Sequence, residues 1–165
     1  MAPFPDPIGR DAIVQFPGGV SAQLYWHTTP PNYPALTTVP DNRVYLTADS
    51  VDPFLKSYLA FTHGHVDADT TSADGALIGK PSTTFRQVRI TSPYGNTLVA
   101  VTDGQLPYPF GHELAGYAVS DVAATVAKAQ AAGVTVLVPT ATFGEVTHAM
   151  LQWPGGYVAE IHNAT

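Results

Sequence analysis

Glu160 and three histidines are the residues of this 165-residue chain whose types and spacing suit metal or acid–base chemistry. The stretch from His148 to His162 reads as two strands about a Pro-Gly turn, Pro154-Gly155-Gly156. A turn centred on Gly155 sets Trp153 opposite Tyr157, Met150 opposite Glu160 and His148 opposite His162. Side chains two apart share a strand face, so His148, Glu160 and His162 are expected together. His112 joins them if it belongs to one strand with Leu114. Three imidazoles and a carboxylate suit Zn, and two imidazoles with the carboxylate suit a facial Fe site, with Mn and Ni as further candidates. The expectation is a divalent ion held by Glu160, His112 and one of His148 or His162, with Glu160 as ligand or catalytic base. The plainer alternative makes His148 and His162 a surface pair.

Other residues invite chemistry less strongly. His63-Gly64-His65 places two imidazoles at i, i+2, a ligand pair or, more simply, a surface loop. Arg89 suits a substrate carboxylate, or an exposed strand face. Aromatic residues gather at hairpin ends, and some of them, with Tyr25 and Trp153 among the candidates, are expected to line an apolar pocket. Gly75-Ala76-Leu77-Ile78-Gly79-Lys80-Pro81 is one residue short of a phosphate loop and has Pro where Ser or Thr is needed. There is no nucleophile elbow, no dinucleotide fingerprint and, with no cysteine, no thiol chemistry.

The elements that must position these residues show in a repeat. Residues 12–24, AIVQFPGGVSAQL, and 149–161, AMLQWPGGYVAEI, are related by an offset of 137 and share six of thirteen residues. A weaker third copy is VRITSPYGNTLVA, residues 88–100. Each is a β-hairpin pattern. Ahead of the second and third hairpins lies a strand followed by a helix: one with Asp52 as N-cap and Pro53 at its first position, the other with Ser120 or Asp121 as cap, a Val122, Val126, Ala129 stripe and Gly133 past its end. The fold class expected is α+β: two β-α-β-β-β modules, residues 42–102 and 112–165, a linker at 103–111, and an N-terminal hairpin with its linker at 1–41, together one domain. Expected strands lie near 42–48, 65–70, 84–91 and 96–102, then 113–119, 134–138, 147–153 and 157–162.

Composition limits the partners. Seven basic against thirteen acidic residues give a net charge of −6, and charged residues make up 12% of the chain, about half the usual fraction. With no basic cluster, nucleic acid and anionic membranes are not expected, and a small molecule is. MAPFPDPIGRD is not a signal peptide and no apolar run reaches about 18 residues, so a cytoplasmic protein is expected. The Asn163-Ala164-Thr165 sequon reads as accidental.

Paired modules ending in Pro154-Gly155-Gly156-Tyr157-Val158-Ala159-Glu160-Ile161 resemble the vicinal oxygen chelate superfamily, which includes glyoxalase I, bleomycin-resistance proteins and extradiol dioxygenases. The resemblance is strongest over residues 112–162. It implies two modules curling their sheets into a cup around a small-molecule site, with metal ligands on the first and last strands of each module. Carried over, the last-strand acid falls on Glu160, its counterparts on Val99 and Gln23, and the first-strand positions on Asn42 and Leu114. Substrate contacts are then expected from Gln23, Tyr25, Asn42, Arg89, Leu114 and Trp153. The resemblance implies a metal-dependent lyase, isomerase or dioxygenase acting on a small organic molecule. The alternative is a metal-free, drug-sequestering binder, which Asn42, Leu114 and Val99 favour. The N-terminal hairpin has open strand edges, so a homodimer is expected.

Overall fold

The computed structural model describes residues 2–7, 9–29, 32 and 39–163. Readings of linker residues 30, 31 and 33–38, and of the last two residues of the sequon, lie outside the described residues. The described elements are β1 (Phe4–Asp6), β2 (Gly9–Gln15), β3 (Ser21–His27), β4 (Asp41–Leu46), α1 (Val51–Thr62), β5 (His65–Asp74), β6 (Thr84–Ser92), β7 (Gly95–Val101), β8 (Leu114–Val119), α2 (Val122–Ala131), β9 (Thr135–Phe143), β10 (Val146–Gln152) and β11 (Val158–Asn163). The β-α-β-β-β order appears twice, as the repeat predicts. All three repeat copies form hairpins: β2–β3, β6–β7 and β10–β11.

Eight strands form one curled sheet in the order β5-β6-β7-β4-β8-β11-β10-β9. In each module the first strand runs parallel to the last, β4 with β7 and β8 with β11. The modules join where β4 and β8 pair antiparallel. Strand alternation divides the sheet into two faces. Val44, Leu46, Val88, Ile90 and Val99 pack outward with Phe54 and Tyr58 of α1. Ala149, Leu151 and Ile161 pack outward with Val122, Val126 and Ala129 of α2, the stripe read from the sequence. The opposite face is the inside of the cup, floored in the first module by Phe85, Ala100 and Ile78.

The helix starts follow local chemistry. Asp121 caps α2, its carboxylate accepting the Ala124 N–H at 2.8 Å. Asp52 is not the cap of α1: the helix is preceded by Ser50, which makes no side-chain capping bond, and Asp52 lies in the first turn. There it accepts a hydrogen bond from Arg86 Nη1 at 3.1 Å, tying helix to sheet while complementing the positive helix end.

Strands β5 and β9 run past their expected ends at 70 and 138 because register shifts absorb extra residues without ending the ladder. Pro139 falls between two paired residues of β9, Val138 and Ala141, where no ladder bond is lost. Gly79 has φ 75°, and a Cβ there would stand 2.7 Å from both Pro107 and Phe110, so the glycine lets the 103–111 segment close over the first module. That packing accounts for the near-miss phosphate-loop string.

The N-terminal segment forms a separate three-stranded sheet, β1-β2-β3, the short β1 being unforeseen in the Pro-rich start. It docks through its turn. Phe16 is 7% exposed and meets Phe54, Tyr58 and Phe61 edge-on with ring centroids 5.2–6.0 Å apart.

Candidate functional site

The alternating pattern Asp41-Asn42-Arg43-Val44-Tyr45-Leu46 puts Asp41, Arg43 and Tyr45 on the cup face of β4, and Val44 and Leu46 in the α1 core. From β11 the same face receives Glu160 and His162, and from β10 it receives His148. The register sets His148 opposite His162 and Met150 opposite Glu160, as the hairpin reading predicts. These side chains border a cavity of about 150 Å³ whose walls include Arg89, Gln87 and Thr97 on the polar side and Leu77, Ile78, Phe85 and Leu98 on the apolar side.

Arg43 is the residue the sequence reading missed. It is 6% exposed, its Nε donates to Glu160 Oε2 at 2.6 Å, and its Nη2 donates to Glu160 Oε1 at 3.4 Å. Its Nη1 lies 3.5 Å from Asp41 Oδ2. To reach β11 the guanidinium must cross β8, and it does so over Gly116, where a Cβ would stand 2.8 Å from Arg43 Cζ and Nη2. The signal was present in the polar–apolar alternation of β4, where a charged side chain on a central strand demands a partner.

His162 is 3% exposed, and its Nδ1 donates to the Asn163 carbonyl at 2.7 Å, which fixes the proton on Nδ1. Its Nε2 lies 3.4 Å from Asp41 Oδ2 without hydrogen-bond geometry. His148 is 2% exposed, its Nδ1 lies 3.9 Å from Glu160 Oε1, and its Nε2 has no hydrogen-bond partner among the described residues. Burial is the main influence on His148 and, with the charges of Arg43 and His162, outweighs the attraction of Glu160, so its pKa is lowered and the ring is neutral at neutral pH. Burial acts to raise the pKa of Asp41, but the contact with His162 and the charge of Arg43 prevail and hold it below the usual carboxylate value. Burial and the nearby Glu160 push the Tyr45 phenol upward, so it stays protonated.

The other expected site residues are distributed differently. Arg89 borders the cup. His112 does not: β8 begins at Leu114, after a turn with Gly111 at φ 85°, so His112 is exposed outside the strand with its ring 6.5 Å from Tyr108. Asn42, Gln23 and Leu114 line a different cavity, about 440 Å³, between the N-terminal sheet and the β4–β8 seam. Gln23 there donates to Asp11 Oδ2 at 2.7 Å. Tyr25 is 64% exposed beside His27. Trp153 packs against the α2 core and leans on Tyr157 at 5.6 Å. His63, with φ 55°, ends α1 and is exposed, and His65 pairs with Asp67 at 3.0 Å, so these two are surface residues.

The seam corrects the carried-over positions. Pairing of Asp41 with Gly116, Asn42 with Ala115 and Arg43 with Leu114 sets a local two-fold through Asn42 and Ala115. Arg43 therefore corresponds to Gly116. Their parallel partners are Leu98 and Glu160, so the counterpart of Glu160 is Leu98 and not Val99. Val99 is fully buried in the α1 core, one residue and one face away. Of the four equivalent cup positions, Arg43, Leu98, Gly116 and Glu160, only Glu160 is a metal-ligand type. As placed, the residues do not fit a divalent ion: both oxygens of Glu160 face a permanent cation, and among the described residues no three His, Asp or Glu side chains are arranged to hold one.

No family model matches the chain. No curated protein matches it either. Solved structures do. A hypothetical protein from Bacillus halodurans C-125 is 10% identical, covering 78% of this chain and 94% of its own, with a TM-score of 0.53. Methylmalonyl-CoA epimerase from Mycobacterium tuberculosis is 13% identical, covering 81% and 94%, with a TM-score of 0.53. Streptomyces coelicolor methylmalonyl-CoA epimerase, in complex with 2-nitronate-propionyl-CoA, is 17% identical, covering 79% and 96%, with a TM-score of 0.52. The chain shares the paired-module fold of these solved structures. Among the described residues no helix is long and apolar enough to cross a membrane.

Proposed function

We propose that the chain is a glyoxalase-like protein that takes a small oxygenated organic molecule into the cup, with Arg43 as the resident positive charge. The observation that carries this reading is the pair of buried imidazole Nε2 atoms, on His148 and His162, that border the cavity with no hydrogen-bond partner among the described residues, that of His162 standing 3.4 Å from Asp41 Oδ2. Leaving such atoms unpaired costs about 1–3 kcal/mol each, which a ligand hydroxyl recovers at either ring. His148, neutral, accepts or donates according to its tautomer. Leu77, Ile78 and Phe85 hold the apolar part of the ligand, and Arg89 suits a carboxylate on it.

Thermal-shift and calorimetric screening of small hydroxy acids, hydroxyketones and catechols tests the reading. A hit should bind wild type at least about tenfold more tightly than His148→Gln/His162→Gln, equivalent to about 1.4 kcal/mol. Equal affinity for both proteins would place the ligand elsewhere.

The second reading is a metal-dependent lyase, isomerase or dioxygenase with the ion on Glu160, His148 and His162. It is favoured by the shared burial of these three side chains on one face, 2–8% exposed. It requires the guanidinium to leave Glu160. Elemental analysis of untagged protein beside Glu160→Ala separates the two: about one equivalent of Zn, Fe, Mn or Ni, lost in the variant, establishes the second reading and overturns the first.

A further inference from the structure

The cavity between the N-terminal sheet and the β4–β8 seam measures about 440 Å³, against about 150 Å³ for the cup. Ligand sites usually measure roughly 300–1,000 Å³. It lies on the outer side of the large sheet: Val44 and Tyr58, which border it, belong to the core under α1, and Asn42 alternates with the cup-facing Arg43. Three of the substrate contacts expected from the sequence, Gln23, Asn42 and Leu114, meet in this cavity and not in the cup.

Two kinds of wall meet there. One is aromatic, with Phe16, Tyr58, Phe61 and Tyr94. Phe61 and Tyr94 stack with centroids 6.2 Å apart and are 37% and 56% exposed, so ring surface is open for contact. The other wall is polar, and its charge is negative. Glu113, immediately before β8, borders the cavity and forms no ion pair among the described residues, and burial pushes its carboxyl above the usual carboxylate value. Arg43 also borders the cavity, but its guanidinium is committed to Glu160 and Asp41 on the cup face. Among the described residues no other basic or imidazole side chain reaches it. The amides continue the same sign. Gln23 Nε2 donates to Asp11 Oδ2 at 2.7 Å, and since only the amide nitrogen can donate to a carboxylate, the amide orientation is set with Oε1 left as an acceptor.

A partly desolvated carboxylate without a counter-charge, an oriented amide oxygen and open ring faces all favour a positive ligand. An anion would meet Glu113 with no cation to receive it, and a neutral apolar ligand would desolvate the carboxylate further without compensation. We propose that this outer cavity is a second ligand site, separate from the cup, for an organic cation with an aromatic or apolar body. Glu113 and the rings hold the charged head, and Val20, Leu24 and Leu114 hold the body. The net charge of −6 draws such a ligand in.

Titration of the full chain with the aromatic cation thioflavin T in low salt, followed by the fluorescence of the dye, tests the proposal. Glu113→Gln should weaken binding by about fivefold or more, the range of a single charge and ring contact. Glu145→Gln, which removes the same charge from the exposed turn between β9 and β10, should leave it unchanged. Leu24→Trp, which fills the cavity, should abolish binding with the circular dichroism spectrum retained. Asn42→Asp adds a carboxylate at the cavity and should tighten binding, a gain that a misfolded variant cannot give. No binding by wild type, or equal weakening by Glu113→Gln and Glu145→Gln, overturns the site. Loss of binding in His148→Gln/His162→Gln would place the cation in the cup and overturn it too, whereas unchanged binding there separates this site from the fate of the cup reading.

Discussion

Gly116 and His148 each make a residue-scale consequence measurable. Gly116 leaves space for the Arg43 guanidinium, so Gly116→Ala drives a methyl group to 2.8 Å from it and pushes it off Glu160. We expect a loss of about 1–3 kcal/mol in urea melts, the usual cost of overpacking in a close-packed interior. His148 sets a pH dependence. Its folded pKa lies below the ordinary 6.5, so the neutral ring's contribution is complete above that value. As pH falls through 6.5 the unfolded chain takes up the proton first, and stability drops by up to about 1.4 kcal/mol per pH unit until the folded pKa is reached. His148→Gln should flatten the stability profile over that window, and an unchanged slope would mean that another group governs it. Asp41 acts at lower pH: its folded pKa is depressed, so its contribution is present above about 3.8 and is lost as pH falls through the folded value.

At the scale of elements, the small sheet and α2 give separable predictions. The small sheet is anchored at its turn by Phe16 among Phe54, Tyr58 and Phe61, with Val20, Val14 and Ala22 packed into the same core. Phe16→Ala should cost about 3 kcal/mol and speed amide exchange in β2 and β3 while β10 and β11 stay protected. Equal loss of protection throughout would show that the small sheet unfolds only with the rest. Asp121→Ala removes the α2 cap and should cost about 1 kcal/mol in the same melts. Hairpins and helices were readable because their signals are local: Pro-Gly turns, a cap residue and periodic apolar positions. The start of α1 lies two residues ahead of the Asp52–Pro53 reading, and Asp52 instead answers to Arg86 across the sheet, a partner 34 residues away.

For the whole molecule the Arg43–Glu160 pair matters most, since it joins one module to the other across 117 residues of sequence. Arg43→Met or Glu160→Gln alone strands a buried charge and should cost about 3–5 kcal/mol. The double variant should cost clearly less than the sum, as the stranded charge is gone; strict additivity in a double-mutant cycle would deny the coupling. The sequence by itself determined the two modules, the hairpin register that unites His148, Glu160 and His162, and the apolar faces under both helices, because these follow from periodicity and turn chemistry within a few residues. It pointed to Glu160 facing inward, but not to what faces Glu160. Only the tertiary structure decided that: the β4–β8 seam, formed between segments some 70 residues apart, brings Arg43 over Gly116, moves the counterpart of Glu160 from Val99 to Leu98, and leaves His112 outside the cup. A strand's faces alternate at every residue, so a one-residue choice of register between distant strands settles which side chains share a site, and no local pattern contains that choice.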